Sequence, residues 1–281
     1  MRFGLTRPTF SAIIYSSINR RKAGAPLLTS SDTYAFFLDI DNTLVSAGGI
    51  CARNRAAIDA ARKAGHLVLI NTARALTNIQ PEVMALELDG IVSSLGSNVT
   101  LGGKTLIADR IPTDEWAAIL DEWNEKGLDI MLEGDDLLAS NNPEKWPELP
   151  LVRTGAEYRE RYSDRIVGKA YIPHVLAPDV RAELEAKYVF FQHDHYAEIA
   201  PKGRSKAAGM LAAAEYYGID PSHLVAMGDS LNDMDMLRAA GIAVAMGNAV
   251  DEVKQICSMV TCSAADGGVG EGIGRILGMD L

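Results

Sequence analysis

The stretch Tyr34-Ala-Phe-Phe-Leu-Asp39-Ile-Asp41-Asn-Thr43-Leu44 decides how the rest of the chain is read. A run of β-forming apolar residues stops abruptly at two carboxylates spaced i, i+2, with a hydroxyl two residues further on. Residues two apart in a strand point to the same side. The carboxyl end of such a strand is where open α/β sheets bind their ligands. Two crowded acids are costly unless a countercharge offsets them, and a hard cation such as Mg²⁺ does so. Asp39 and Asp41 therefore read as a reaction centre, and the other segments must supply the groups that complete it.

Downstream, residues 53–64 form an amphipathic helical pattern closed by Gly65, and His66-Leu-Val-Leu-Ile70 is a buried strand ending in Asn71-Thr72-Ala73-Arg74. A second helix is expected to run to residue 86, and Gly90-Ile-Val-Ser-Ser94 makes a third strand. This β-α-β-α-β order predicts a parallel sheet with right-handed crossovers. The rhythm changes at Gly96. Residues 99–107 read as a hairpin around Gly102-Gly103, followed by a helix over 113–126 with Thr113 as its N-cap and a strand at 130–132. Residues 139–150 hold Pro143, Pro147 and Pro150 and read as irregular. A strand over 166–172, a helix over 178–187 and paired strands over 189–192 and 196–199 complete an antiparallel α+β insert. From Pro201 the first rhythm returns, with helices over 205–217, 234–240 and 250–256, strands over 223–227 and 242–245, and a last helix reaching Leu277. The expected fold is α/β: a Rossmann-like parallel-sheet core made of 32–98 and 201–281, interrupted by an inserted α+β domain at 99–200.

The 281 residues are 48% hydrophobic and 23% charged, enough to bury a sizeable core. A net charge of −10 leaves no basic face for non-specific nucleic-acid binding. No apolar run approaches the ~20 residues of a membrane-spanning helix. Three sparse cysteines, Cys51, Cys257 and Cys262, fit reduced thiols in a cytosolic compartment. Residues 1–31 carry Arg2, Arg7, Arg20, Arg21 and Lys22 but no acid. Such a leader fits either an organellar transit peptide or a flexible or over-long start.

Four strand ends carry polar groups, and a parallel sheet would turn all four towards one crevice: Asp39/Asp41, Thr72, the Lys202–Lys206 segment, and Asp229/Asn232/Asp233. Taken singly, each also reads as turn or cap chemistry. Together they make the set that phosphoryl transfer needs. A carboxylate can act as nucleophile, acids on separate loops can hold Mg²⁺, a hydroxyl and a lysine can contact the phosphoryl oxygens, and a second acid can move the proton.

These residues resemble the haloacid dehalogenase superfamily of phosphatases. Asp39-Ile-Asp41-Asn-Thr43 fits its DxDxT motif, and Thr72 the strand ending in Ser/Thr. Lys206 fits the motif lysine, and Gly228-Asp229-Ser230-Leu231-Asn232-Asp233 fits GDxxND. Met246-Gly-Asn248-Ala249 and Asp266-Gly-Gly-Val269 resemble the tail of its Cof-type branch, in which a large C2-type α/β cap is inserted after the third strand. The resemblance implies Asp39 as nucleophile and metal ligand. It implies Asp41 as general acid/base with its backbone carbonyl on Mg²⁺, and Thr72, Lys206 and Asn232 at the phosphate. Asp229 would be a direct ligand and Asp233 a ligand or a supporting partner. Lys202 is a rival for the role of Lys206. Thr72-Ala73-Arg74 stands where Thr-Gly-Arg is usual, and Leu95-Gly96-Ser97 where Asn-Gly-Ala is common. The implied activity is Mg²⁺-dependent hydrolysis of a small phosphorylated metabolite, by a monomer or small homo-oligomer with neither nucleic acid nor membrane as partner. A phosphomutase or a non-catalytic phosphate-binding protein are the alternatives. His193-Asp-His195 offers two histidines on one strand face, open to a metal, an orienting or a surface reading, and Glu133-Gly-Asp135-Asp136 is a place to look for specificity.

Overall fold

The computed structural model describes residues 32–280. The leader expectation for 1–31 lies outside them. The larger sheet has eight strands in the order β15-β14-β13-β1-β4-β5-β6-β7. They are β1 (Ala35–Leu38), β4 (Leu67–Asn71), β5 (Gly90–Ser93), β6 (Asn98–Leu101), β7 (Lys104–Ala108), β13 (Leu224–Gly228), β14 (Ile242–Ala245) and β15 (Met259–Val260). β1 lies in the middle and pairs in parallel with β13 and β4, Phe36 opposite Val225 and Val68.

Strands buried on both faces read as continuous apolar runs, and alternate residues feed two cores. Phe36 and Leu38 join one, with Ile58 of the helix Ala52–Lys63 and Ile273 of the helix Gly268–Leu277. Ala35 and Phe37 join the other, with Met210 of the helix Lys206–Tyr217 and Met236 of the helix Met234–Ala239. With helices on both faces, the order reverses at β1, so the carboxyl ends of β1, β4 and β13 open into one crevice. A short ribbon, β2 (Val45–Ser46) and β3 (Gly49–Ile50), follows β1.

The chain then builds a second sheet, β11-β12-β10-β8-β9, antiparallel throughout. Its strands are β8 (Met131–Gly134), β9 (Leu138–Ser140), β10 (Val167–Ile172), β11 (Tyr188–Gln192) and β12 (Ala197–Pro201). Its own apolar cluster centres on Trp116, Trp123, Tyr158 and Ile199.

Several expectations need correction. The hairpin expected to open the insert, residues 99–107, belongs to the larger sheet, because β6 turns back antiparallel on β5 and carries β7 with it. The helix expected to reach residue 86 is a 3₁₀ turn, Leu76–Asn78, and one helical turn, Pro81–Met84. Pro81 donates no N–H, and Gln80 before it is held extended. Thr113 is the first residue of the helix Thr113–Glu125 rather than its cap, and its hydroxyl donates to the Ser163 carbonyl at 3.3 Å. The helix Gly155–Tyr162 was not anticipated, although Thr154 and Glu157 signal it. The Thr154 hydroxyl accepts from the Glu157 amide, and the Glu157 carboxylate accepts from the Arg153 amide. Among the described residues no helix is long and apolar enough to cross a membrane.

Candidate active site

Asp39 is the first residue beyond β1, its amide still bonded to Met227 of β13 (3.1 Å), and it is 5% exposed. Asp229 follows the last residue of β13 directly. The next turn, Leu231–Asp233, folds Asp233 back so that one carboxylate oxygen accepts the amides of Asp229 (3.0 Å) and Ser230 (3.1 Å). That return needs a glycine at 228, since a Cβ there would stand 2.6 Å from the Asp233 side chain. The carboxylates of Asp39, Asp229 and Asp233 come within 4.8 Å of one another.

Lys206, at the start of its helix and 1% exposed, lies beneath this cluster. Its ammonium donates to Asp39 Oδ1 (2.7 Å), Asp233 Oδ1 (2.6 Å) and Asn232 Oδ1 (3.3 Å), so all three N–H bonds are used. The helix reaches this depth because Gly96, held at φ +83°, packs against its entry; a Cβ there would meet the Ser205 carbonyl at 2.1 Å. Lys202, the rival lysine, points elsewhere and donates to the carbonyl of Ala186.

The electrostatics follow from burial. Loss of water pushes Asp39 up to about 8, with Asp233 and Asp229 adding to the rise and Lys206 opposing it. Asp229 is pushed up to about 6 by burial and by Asp233, against a hydrogen bond from Thr43. Burial alone would lower Lys206, but Asp233 and Asp39 outweigh it and hold the ammonium charged. Burial and mutual repulsion thus resist full ionisation of three acids against one ammonium, and a cation bound to these hard oxygen donors would relieve that resistance. That donor set suits Mg²⁺.

The other expected residues take up positions around the same cavity, of about 350 Å³. Thr72, directly after β4, and Asn232 line it. Asp41 lines it too; its carboxylate is not one of the three clustered acids and is gripped by the guanidinium of Arg74 in a two-point fork, 2.7 and 2.8 Å. The third arm of Arg74 donates to the Asn78 carbonyl (2.9 Å). Thr43 is fully buried and its hydroxyl donates to Asp229 (3.3 Å). Asn248 steadies the loop by donating to the Asn42 carbonyl (2.8 Å) and accepting from Ala264 (2.8 Å). Ser94 and Leu95, both at positive φ, brace the Thr72–Arg74 loop through bonds to the carbonyls of Arg74 and Thr72.

Opposite stands the second sheet, contributing Glu133, Lys169, Tyr171, His193, Tyr196 and Glu198 to the cavity. Of these the sequence singled out Glu133 and His193. Lys169, Glu198 and the two tyrosines were missed, although a lysine inside Val167-Gly-Lys-Ala-Tyr-Ile172 and a glutamate inside Ala197-Glu-Ile199 interrupt otherwise apolar strands. His193 stacks on Tyr196 and bonds to Glu198 (3.2 Å), whereas His195 is exposed, and neither joins the acid cluster.

Residues 36–273 match the family model for haloacid dehalogenase-like hydrolases. The chain is 27% identical over 277 residues to 5-amino-6-(5-phospho-D-ribitylamino)uracil phosphatase YwtE of Bacillus subtilis (strain 168), covering 85% of this chain and 96% of that protein. It is 29% identical over 257 residues to pyridoxal phosphate phosphatase YbhA of Escherichia coli (strain K12), covering 81% and 93%. Among solved structures, the phosphatase BT1666 of Bacteroides thetaiotaomicron superposes with a TM-score of 0.75 at 23% identity, over 90% of this chain and 98% of that one.

Proposed function

The chain belongs to the haloacid dehalogenase-like hydrolases, and from that premise we propose that it hydrolyses phosphomonoesters of small metabolites with Mg²⁺, through a phosphoryl group carried on Asp39. The observation that carries the reading is the clamp on Lys206: one buried ammonium holds Asp39 and Asp233 together beside Asp229.

Lys206 fixes Asp39 Oδ1, which leaves Oδ2 to attack the phosphorus. As the Oδ2–P bond forms, the bond from phosphorus to the leaving oxygen breaks, and Asp41, with one oxygen still held by Arg74 and the other released from the fork and protonated, gives that oxygen its proton. Asp41 then takes a proton from water. The water oxygen attacks phosphorus, the Asp39–phosphoryl bond breaks and free phosphate leaves. Thr72 and Asn232 are placed to hold phosphoryl oxygens, and Lys206 offsets their charge. Asp39 and Asp229, with the backbone carbonyl of Asp41, are the residues that would hold Mg²⁺. Once bound, the ion supplies positive charge to the phosphoryl oxygens and helps align them for in-line displacement. Asp233 has both oxygens engaged, by Lys206 and by two backbone amides, which supports a positioning role.

The named substrates of the two curated relatives support a small phosphorylated metabolite. The three cysteines, none of them in a disulfide, support a reducing cytosolic setting.

The test is hydrolysis of a generic aryl phosphate and a panel of metabolite monophosphates, with Mg²⁺ and with a chelator. Turnover should require Mg²⁺, and Asp39→Asn should cost at least about 10³-fold in kcat. Appreciable hydrolysis by Asp39→Asn would sink the covalent route.

A further inference from the structure

The second sheet has two unlike faces. Along β8, β10 and β12, Leu132, Ala170, Ile172 and Ile199 enter the apolar cluster, while Glu133, Lys169, Tyr171 and Glu198 face the cavity. Lys169, 3% exposed, is held between Glu133 (3.3 Å) and Glu198. The second oxygen of Glu198 meets His193. Arg74 is committed to Asp41 and the Asn78 carbonyl. Among the described residues lining the cavity, both Lys and Arg side chains are therefore tied up, and five carboxylates (Asp39, Asp41, Glu133, Glu198, Asp229) face them. A phosphoryl group and its metal at Asp39 leave the opposite end negative. One wall there is aromatic: Tyr171 and Tyr196 stack with centroids 5.0 Å apart, and His193 lies on Tyr196 at 4.1 Å.

We propose that this end of the cavity is a charge filter, admitting phosphomonoesters whose leaving group is neutral or cationic and bears hydroxyls, and rejecting those with a second phosphate or a carboxylate. The inference deepens the phosphatase reading and rests on it. With the phosphoryl group at Asp39, the leaving group must extend towards Glu133 and Glu198. Hydroxyl groups can donate to those carboxylates, and the C–H face of a polyol or a planar ring can lie on the aromatic wall. A second anion would meet like charge with no uncommitted cation to receive it.

The experiment compares kcat/KM within pairs matched in length: a hexitol phosphate against the corresponding aldonate phosphate, and a hexose monophosphate against its bisphosphate. An aryl phosphate serves as the control for the chemistry. The neutral member should lead by about a hundredfold, the factor expected for like charges about 6 Å apart at an effective dielectric near 20. Glu133 and Glu198 against Lys169 leave one net negative charge, so Glu198→Gln and Glu133→Gln should each remove most of that ratio. A ratio within one variant is unaffected by any loss of folded enzyme. Equal turnover of both members of each pair, or turnover of the aryl phosphate alone, overturns the filter and leaves the phosphatase reading standing. A ratio unchanged in both variants also overturns it. No turnover of any compound, the aryl phosphate included, overturns both.

Discussion

Asp41 and Arg74 show how much of this site depends on side chains outside the three-acid cluster. Asp41 is half exposed, so nothing in its burial fixes its carboxylate; the two-point fork from Arg74 does. A planar guanidinium holds a carboxylate in one plane and at one distance, which a lysine cannot reproduce. Misplacing a proton donor by about 1 Å can cost on the order of 10²-fold in rate. Arg74→Ala should therefore lower kcat by about 10–10²-fold, with a smaller change in KM and a shifted pH–rate profile. Arg74→Lys should recover little. Steady-state kinetics across pH on both variants checks this, and a KM effect with kcat intact would reassign Arg74 to substrate binding. Thr43 is another such residue, since its buried hydroxyl reaches Asp229 from a chain position 186 residues away.

At the scale of elements, β8, β10 and β12 are held together across their polar face by Glu133, Lys169 and Glu198. Burial alone would raise Glu198, but Lys169 and His193 outweigh it and hold the carboxyl at about 2, against an ordinary 4.5. A carboxylate depressed in the folded state contributes stability above its unfolded pKa and loses it as the pH falls through the folded value. The window is thus pH 4.5 down to about 2, worth on the order of 3 kcal/mol. Glu198→Gln should be less stable at neutral pH and should flatten the acid limb of the stability curve. Urea unfolding from pH 6 to pH 3 measures it, and parallel acid limbs in the two proteins would contradict it.

The same strands mark where sequence reading stops. Asp39, Thr72, Lys206 and Asp229 were legible because each stands where a buried apolar strand ends or a helix begins, and a parallel sheet brings such ends together whatever the loops do. The Arg74–Asp41 fork and the Lys169–Glu198 pair depend on which loop crosses which, and on how two sheets face each other. No local period encodes that. Pro81 is legible in principle as a helix breaker, and Thr154 with Glu157 as a helix start, because both act through local chemistry. The hairpin β6–β7 failed for another reason: a change of rhythm marks a change in strand direction, which is not the same as a change of sheet.

At the scale of the whole molecule, the two sheets meet across the cavity through few direct links. Thr77 donates to the Gly134 carbonyl (2.6 Å), Asn98 to Asp135 (2.6 Å) and Asn78 to Glu133 (3.5 Å), while Arg204 pairs with Asp109 between the two connecting segments. The acid cluster lies on the larger-sheet side of that seam, so metal binding should stabilise that body in particular. An ion that binds only the folded state adds RT ln(1 + [L]/Kd), about 2.7 kcal/mol at a hundredfold excess over Kd. For a chain of this size that is roughly 5–10 °C. Mg²⁺ should raise the melting temperature saturably in the wild type and not in Asp229→Ala. An equal rise in both proteins would move the ion elsewhere.

If Asp39 carries the phosphoryl group, acid-quenched single turnover will trap it there. With a radiolabelled phosphomonoester and excess enzyme, label should appear on the peptide containing Asp39 within the first turnover and decay as free phosphate forms. It should be absent in Asp39→Asn; with an aryl phosphate, whose leaving oxygen departs without a proton from Asp41, it should accumulate in Asp41→Asn, where the water step alone is slowed. Free phosphate released at the full rate with no label on Asp39 at any time would contradict the account.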